Sequence, residues 1–483
     1  MGLSTSKSRP VIAAVSFPMY AMKLVSSRHI LVAGGGGASK TGVPNRMELF
    51  LLEIADPESS SSSNSAQFTP CHCIKTAVID TESMATMNVD VFALDEEVGD
   101  FLIACGQDEF CQIYRTKFDV CYMKNGQQLC LEGMGSANGD LRPNARQEEE
   151  REEAGEALIG QRNGLLAPQQ QNQFVALMQQ LKSGLIERKL SFAMRPVRQI
   201  RTDFHPKMAF QKRVRFDPRY GRFFVTGGAD GFVRVWNTIT GDKLCEEQAH
   251  KDEVDDLDLS PDGSGYLVTV GRDSKCCVWL LKQQEERRTV CKFADLQLPE
   301  GIPPKYRARL VKFTTLGTKT QVFLTATVAV QRSSKSQESY LSLWVLNPKA
   351  ESCRPILTRA VSKETISALT VNSDGQLAAV GTMSGSVTIL ETDELTPLIS
   401  FPQTHGIYVT GLEFLADVST AGPNTPMFGL SEDYRAGLLS ISGDQTMQLH
   451  CLPWKTGRSC SRFLVYLMVF VAFLAVLLRV LGL

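Results

Sequence analysis

Short apolar runs, Gly/Asp turns and alternating runs that end on an aromatic or bulky residue recur along the chain. Phe224-Val225-Thr226-Gly227-Gly228-Ala229-Asp230-Gly231-Phe232-Val233-Arg234-Val235-Trp236 is the clearest copy. Leu267-Val268-Thr269-Val270-Gly271-Arg272-Asp273-Ser274-Lys275-Cys276-Cys277-Val278-Trp279 repeats it roughly 43 residues later, and such self-similarity at a fixed period marks a repeat fold. Weaker copies lie at Leu102–Tyr114, Phe323–Trp344, Ala378–Leu390 and Leu438–Leu449. Ile30–Ile54 is one more copy, with its turn expanded. The period-2 alternation predicts strands, and about seven units suffice to close into a ring of blades.

The predicted fold class is therefore all-β, a seven-bladed WD-repeat β-propeller, followed by a C-terminal transmembrane helix. Within it the repeated residues have structural work. Asp108, Asp230, Asp273 and Asp444 sit in turns between strands, where Asp accepts local backbone hydrogen bonds. Trp236, Trp279 and Trp344 are blade-packing aromatics. His250 precedes Val254-Asp255-Asp256-Leu257, and the set His250, Thr269, Asp273 and Trp279 reads as a hydrogen-bonded structural network. None of the six histidines clusters in sequence with other metal ligands, so a catalytic or metal role for them is disfavoured.

The expanded turn is Gly34-Gly35-Gly36-Gly37-Ala38-Ser39-Lys40-Thr41-Gly42-Val43-Pro44-Asn45, longer than a tight hairpin needs. Excess length at a hairpin tip marks either slack or function. Gly34 and Lys40-Thr41 have the spacing of a phosphate-binding P-loop, but Ser39 stands where that motif has a glycine. The motif must also open a helix, whose N-terminus carries much of the anion binding. Here Pro44 and the alternating run Met47–Ile54 follow, so a nucleotide cradle is disfavoured and the residues alone leave a long hairpin tip.

One long stretch, about Lys117 to Arg195, breaks the repeat. It holds the acidic run Glu148-Glu149-Glu150-Arg151-Glu152-Glu153 and Gln169-Gln170-Gln171-Asn172-Gln173, with some helix expected near Phe174–Leu185. That composition does not bury a core, and it predicts a low-complexity insertion. Ser59–Ser63 is a smaller flexible loop. A basic stretch follows the insertion, with Arg198, Arg201, Lys207, Lys212, Arg213, Arg215, Arg219 and Arg222. The 483 residues carry 51 basic and 52 acidic side chains, a balance that disfavours a nucleic-acid coat. The basic stretch reads instead as a solvated blade face suited to anionic lipid headgroups.

Thirteen cysteines occur without a C-x-x-C pair, so zinc-finger spacing is missing. Several, such as Cys105, Cys111 and Cys276, fall inside apparent strands and read as buried reduced thiols of a cytosolic domain. The absence of an Asn-x-Ser/Thr acceptor agrees with that. Met1-Gly2-Leu3-Ser4-Thr5-Ser6 fits an N-myristoylation pattern, one that arises often by chance. At the other end, Phe463–Leu478 is an unbroken uncharged apolar run. Counted to Leu483 it gives roughly 21 residues and about 31 Å of helix, enough to cross a bilayer, and it suits the thinner endoplasmic reticulum membrane. Lys455, Arg458 and Arg462 precede it, which keeps the N-terminal side in the cytosol. The expected organisation is an N-terminal tail (1–10), blades 1–2 (11–116), the insertion (117–195), the remaining blades (196–454), a basic juxtamembrane linker (455–462) and a single transmembrane helix (463–483) with a short lumenal end.

Taken together, these features resemble the endoplasmic reticulum guanine-nucleotide exchange factors that activate the small GTPase of the COPII vesicle coat, the prolactin regulatory element-binding protein family. The resemblance rests on Phe17-Pro18-Met19-Tyr20-Ala21, the run Ala33–Asn45, Ala85-Thr86-Met87-Asn88, Val225–Gly231 and His405-Gly406-Ile407-Tyr408-Val409-Thr410. The stretch 117–195 has no clear counterpart in it. The resemblance implies exchange without covalent chemistry, on a propeller whose first-blade loop presses on the GTPase. It places the loop residues Gly34, Gly35, Gly36, Gly37, Ser39, Lys40, Thr41, Gly42, Val43 and Pro44 against the GTPase, makes Asn45 the residue exchange depends on, and puts a potassium ion on the loop, at Gly37 and Asn45. The implied partners are the COPII small GTPase and the endoplasmic reticulum membrane, with no nucleotide bound directly and no nucleic acid. Two alternatives are a non-catalytic, membrane-anchored trafficking scaffold on the same fold and a DNA-binding regulator. The intact Asn45 disfavours the first, and the charge balance and anchor disfavour the second.

Overall fold

The computed structural model describes residues 11–38, 42–54, 71–124, 127–128, 186–284, 287–316, 321–331, 337–415 and 434–454. They form seven antiparallel sheets in a ring. Blade 1 is built from Met19–Leu24, His29–Gly34, Arg46–Ile54 and Cys71–Asp80, and blade 2 from Thr86–Asp95, Asp100–Gln107, Phe110–Lys124 and Glu187–Arg201. Blade 3 comprises Gln211–Phe216, Phe223–Gly228, Phe232–Asn237 and Lys243–Gln248; blade 4 comprises Val254–Leu259, Tyr266–Gly271, Cys276–Gln284 and Arg287–Leu296. Blade 5 comprises Tyr306–Thr314, Gln321–Ala329, Ser339–Asn347 and Ser352–Ser362; blade 6 comprises Ile366–Val371, Leu377–Thr382, Val387–Glu391 and Pro397–Phe401. Blade 7 takes Val409–Phe414, Tyr434–Ser442 and Thr446–Pro453, and its outermost strand is Val11–Ala14 from the start of the chain. The seven-bladed all-β expectation is met.

The first strand of each blade lines the axis and touches the first strands of its neighbours. Ion pairs join these strands across blades: Lys23 to Glu413 at 3.1 Å, Arg213 to Asp256 at 2.8 Å, Arg215 to Asp258 at 2.8 Å and Lys312 to Asp258 at 3.3 Å. The second strands are the most deeply buried, as in His29–Gly34, Phe223–Gly228, Tyr266–Gly271 and Leu377–Thr382, where all six residues are buried. Each packs apolar side chains against both adjacent blades, so its sequence is a continuous apolar run rather than an alternating one.

Two expected boundaries differ from the structure. Residues 11–14 stand in blade 7, not with blades 1–2, because the ring closes by pairing Val11–Ala14 with Thr446–Pro453. The stretch 117–195 begins and ends as strand: Phe110–Lys124 runs past residue 117 and pairs with Glu187–Arg201 along its length. Period-2 burial resumes there after the exposed residues 117–120, with Cys121, Met123 and Phe192 buried. Phe192 meets Phe101 edge-on, with ring centroids 5.6 Å apart, so the extension is held by blade packing. The acidic run, the Gln-rich run, the helix expected at Phe174–Leu185, the serine loop 59–63, the tail 1–10, the linker 455–462 and the expected membrane span 463–483 lie outside the described residues. Among the described residues no helix is long and apolar enough to cross a membrane.

The predicted structural network is present. His250 Nδ1 lies 2.9 Å from Asp273 Oδ1, His250 Nε2 lies 2.9 Å from Thr269 Oγ1, and the Trp279 indole N–H donates to the same hydroxyl at 2.9 Å. Trp236 and Trp344 donate likewise to Thr226 and Thr325 at 2.9 Å. Blade 7 repeats the network with different residues. His405 Nε2 lies 2.7 Å from Ser440 Oγ, Asp444 faces His405 Nδ1 at 3.2 Å, and His450 Nε2 lies 2.8 Å from Ser440 where blade 4 has the tryptophan. Proton bookkeeping fixes the roles: His405 donates to Asp444 and accepts from Ser440, so Ser440 must accept from His450 Nε2–H. His450 Nδ1 is then a bare lone pair, and it has no hydrogen-bond partner among the described residues.

Burial lowers the pKa of His29, His250 and His450, the last to about 3. The unfolded chain takes up protons at these rings below about pH 6.5, while the fold refuses them, so their stability contribution is complete above that pH and is lost as pH falls. Urea unfolding midpoints should drop between about pH 7 and pH 5, and His450→Gln should flatten that drop. An equal drop in the variant would show that His450 does not carry the acid sensitivity.

Candidate functional site

The loop of interest joins the second and third strands of blade 1, and its root is made by close backbone approach. Gly34 ends the buried strand opposite Met19, and a Cβ there would lie 1.9 Å from the Pro18 carbonyl oxygen. Gly35 donates its N–H to that oxygen at 3.1 Å and has φ +143°. A Cβ on Gly35 would sit 2.2 Å from Asn45 Oδ1, so glycine is the residue that lets the two arms of the loop meet. Gly37 and Gly42 have φ +71° and +78° with open space around them, which makes them turn-forming rather than packing positions.

Asn45 closes the root. Its Oδ1 accepts the Gly37 N–H at 2.8 Å, and its Nδ2 donates to the Gly37 carbonyl at 3.1 Å and to the Glu82 carbonyl at 3.0 Å. Its own backbone carbonyl accepts the Thr81 N–H at 3.0 Å. Asn45 is 5 % exposed, and every polar group of its amide is used. An aspartate could not donate to the two carbonyls, and a leucine of similar size could make none of the three bonds. The side chain thus ties the outgoing arm of the loop to the turn that leads into blade 2.

The structure divides the expected site residues accordingly. Gly34, Gly35 and Asn45 are buried at the root, Gly36, Gly37, Val43 and Pro44 are half-buried, and Ala38 and Gly42 are exposed. Val43 packs against the core between blades 7 and 1, formed by residues such as Phe17, Met19, Ile30 and Ile441. Ser39, Lys40 and Thr41 lie outside the described residues. The strand Arg46–Ile54 follows directly, so the helix that a P-loop needs does not form here. Pro18, Thr81 and Glu82 belong to the root; Pro18 stands in a run that carries the resemblance but without a site role, and Thr81 and Glu82 escape sequence reasoning, since Glu82 reaches Asn45 from 37 positions away.

Among the described residues no three His, Cys, Asp or Glu side chains gather as metal ligands. Burial raises the thiol pKa of Cys105, Cys111 and Cys276, so these sulfurs stay protonated and inert. His250 and His405 are committed to their blade networks.

Comparisons with known proteins agree with the geometry. The WD domain, G-beta repeat family matches residues 214–237 and 241–279, which are strands of blades 3 and 4. The chain is 30% identical over 440 residues to the guanine nucleotide-exchange factor SEC12 of Rattus norvegicus, covering 90% of this chain and 89% of that protein. The protein of the same name from Mus musculus is 30% identical over 443 residues, with 90% and 89% covered. SEC12-like protein 2 of Arabidopsis thaliana is 25% identical over 241 residues, 48% of this chain and 51% of that protein.

Asn45→Ala should strand the Gly37 N–H and the Glu82 carbonyl, at a cost of about 2 kcal/mol in unfolding free energy and with faster amide exchange at Gly37. Gly37 exchange unchanged in the variant would show that the amide does not hold the loop.

Proposed function

The chain belongs to the SEC12 family of guanine nucleotide-exchange factors, and from that premise we propose that it activates the small GTPase of the COPII coat at the endoplasmic reticulum, starting coat assembly and vesicle export. Exchange makes and breaks no covalent bond. It requires a surface that binds the nucleotide-free GTPase better than the loaded one, since a protein shifts an equilibrium only by its differential affinity for the two states. A projecting loop on a rigid ring suits that role. Ala38 and Gly42 stand at the exposed part of the loop, while its two arms are fixed to the blade at Gly35, Val43 and Asn45. Arms already fixed before binding lose less conformational entropy when the loop meets a partner.

The observation that carries this reading is the Asn45 amide, buried and bonded to both Gly37 and Glu82. Asn45 then acts as a positioning residue, fixing the two arms of the loop that would meet the GTPase. The Gly37 carbonyl accepts one bond from Asn45 Nδ2 and Asn45 Oδ1 accepts one from the Gly37 N–H, so each oxygen keeps a lone pair, and neutral amide oxygens suit a hard monovalent cation such as potassium. When bound, potassium would supply added stiffness at the root. We also read residues 463–483 as the single helix that anchors the protein in the membrane, with the propeller in the cytosol.

GDP release from the COPII small GTPase tests the assignment. Wild-type protein should accelerate release, Asn45→Ala should lose about tenfold of the acceleration, the equivalent of about 1.4 kcal/mol of differential binding, and potassium should support it better than sodium. Equal rates for wild type and Asn45→Ala would sink the role of Asn45, and no acceleration by either would leave a non-catalytic scaffold.

A further inference from the structure

The face opposite the loop carries an arginine cluster that neither the ring nor the exchange loop uses. Strand direction separates the two faces. The turn at 443–445 touches the blade 7–blade 1 connection through Val15 N–H and Gln445 O, and that connection holds Gly35 through Pro18 O, so this turn shares the loop's face. Thr446–Pro453 starts at that turn and runs to the other face, where Trp454 is 52 % exposed and the described chain ends. In blade 3 the turn 217–222 precedes Phe223–Gly228, whose far end leads into the turn on the loop's side. Arg219, Tyr220 and Arg222 therefore lie on the face from which the chain leaves, as does Arg288 at the start of Arg287–Leu296 in blade 4.

Arg219 and Arg222 differ from their neighbours in the basic stretch, and Arg288 joins them from blade 4. Lys212, Arg213 and Arg215 point along the inner ring and pair with Glu253, Asp256 and Asp258. Arg219 and Arg222 instead lie over the Tyr220 ring at 5.1 and 4.9 Å, and Arg288 lies over the Phe223 ring at 3.9 Å. None of the three has a carboxylate within ion-pair distance among the described residues, and none has any further contact of that kind. Nearby acids are engaged elsewhere: Asp217 accepts the Arg219 backbone N–H, and Asp262 accepts from Ser264 and Gln321. Burial lowers the Arg288 pKa, with Asp217 and Cys245 opposing and neighbouring Arg222 adding a smaller push in the same direction as burial. Guanidiniums stacked on aromatic rings keep their N–H forks free, and a free fork matches a phosphate ester.

We propose that Arg219, Arg222 and Arg288, with Tyr220 between the first two, form a docking site for anionic phospholipid headgroups that seats this face of the propeller on the membrane. The proposal rests on the anchor reading above, and Trp454 ties it to the page: the chain that continues toward the apolar run 463–478 departs from this same face. An exposed Tyr220 beside the arginines suits the interfacial zone, where amphipathic rings settle at headgroup depth. Seating this face leaves the loop at the far end, open to the cytosol.

Full-length protein is reconstituted into vesicles of phosphatidylcholine alone, vesicles that also contain phosphatidylserine, and phosphatidylcholine vesicles with soluble inositol hexakisphosphate added. Amide exchange is read at peptides covering 217–223 and 287–290. Phosphatidylserine should slow exchange there about tenfold, and high salt should abolish the effect, because headgroup attraction falls off within a Debye length. Arg219→Gln with Arg222→Gln should remove most of the protection. Both positions are exposed, so the double variant is expected to fold, and an unchanged thermal midpoint checks that; adding Arg288→Gln should remove the rest. Equal exchange in the two vesicle types overturns the site, and so does protection by inositol hexakisphosphate as strong as that by phosphatidylserine. Alkaline carbonate extraction separates the two readings. A chain retained in both vesicle types but unprotected at 217–223 overturns the headgroup site alone, whereas a chain extracted from both overturns the anchor and the site with it.

Discussion

Closure of the ring is the constraint on which the rest of the structure depends. Each blade has few strands and two apolar faces, so it is stable only between two neighbours. The last gap is filled by Val11–Ala14, which pairs with Thr446–Pro453 and brings the two ends of the propeller together. The seam is apolar: Ile12, Phe17 and Met19 from one side pack with Leu439, Ile441 and Leu449 from the other. The loop roots on this seam. Pro18, which receives the Gly35 N–H, belongs to the connection that crosses it, and Val43 packs into its core. Opening the seam would therefore release the loop as well as the ring.

A buried asparagine at the base of an exposed loop resolves a conflict between two requirements. The exposed residues Ala38 and Gly42 give up contacts, and the arms that lead to them need contacts to stay in place. The amide meets both by making its three bonds inward, to Gly37 and Glu82, without occupying the tip. Its position also explains the glycines. Gly35 is needed because Asn45 lies against it, and the positive φ at Gly37 and Gly42 turns the chain at points where no side chain would otherwise clash. The P-loop-like spacing of Gly34 and Lys40 is thus incidental: the glycines serve a strand–loop–strand connection, and no helix N-terminus is present to hold a phosphate.

The ring was legible in the sequence because its blades repeat the same chemistry at similar spacing. Trp236, Trp279 and Trp344 donate to threonines on the neighbouring strands, and His250 joins Asp273 and Thr269 in the way the repeat implies. Blade 7 hid its version of the network because His450 occupies the tryptophan position and Ser440 replaces the threonine, although His405 ahead of Asp444 carried the signal. The length and glycine content of the loop were legible too. The burial of Asn45 was not, because its partner Glu82 arrives from a turn after another strand. In blade 2 the low-complexity composition masked strand: after four exposed residues the alternation resumes at Cys121 and Met123, beyond the point at which the repeat is lost. The basic stretch shows the converse problem. Its members lie close together in sequence, yet strand alternation and turn position send Arg213 and Arg215 into ion pairs and leave Arg219 and Arg222 on a ring face with no ion pair among the described residues.

The loop and the arginine cluster lie at opposite ends of short strands in a closed, ion-paired ring, and this limits how one could influence the other. Allosteric coupling needs an element with two arrangements that both sites bias. Among the described residues the blades between them are continuous sheets with buried second strands, and nothing there offers a second packing of that kind. A headgroup bound to Arg219 and Arg222 would act by orientation instead. It would fix which way the propeller faces, and so raise the fraction of encounters in which a partner approaching from the cytosol meets the loop. Such an effect changes the rate of productive association and leaves the intrinsic fit of the loop untouched. The rigidity that holds Asn45 in place is the same property that confines membrane influence to geometry.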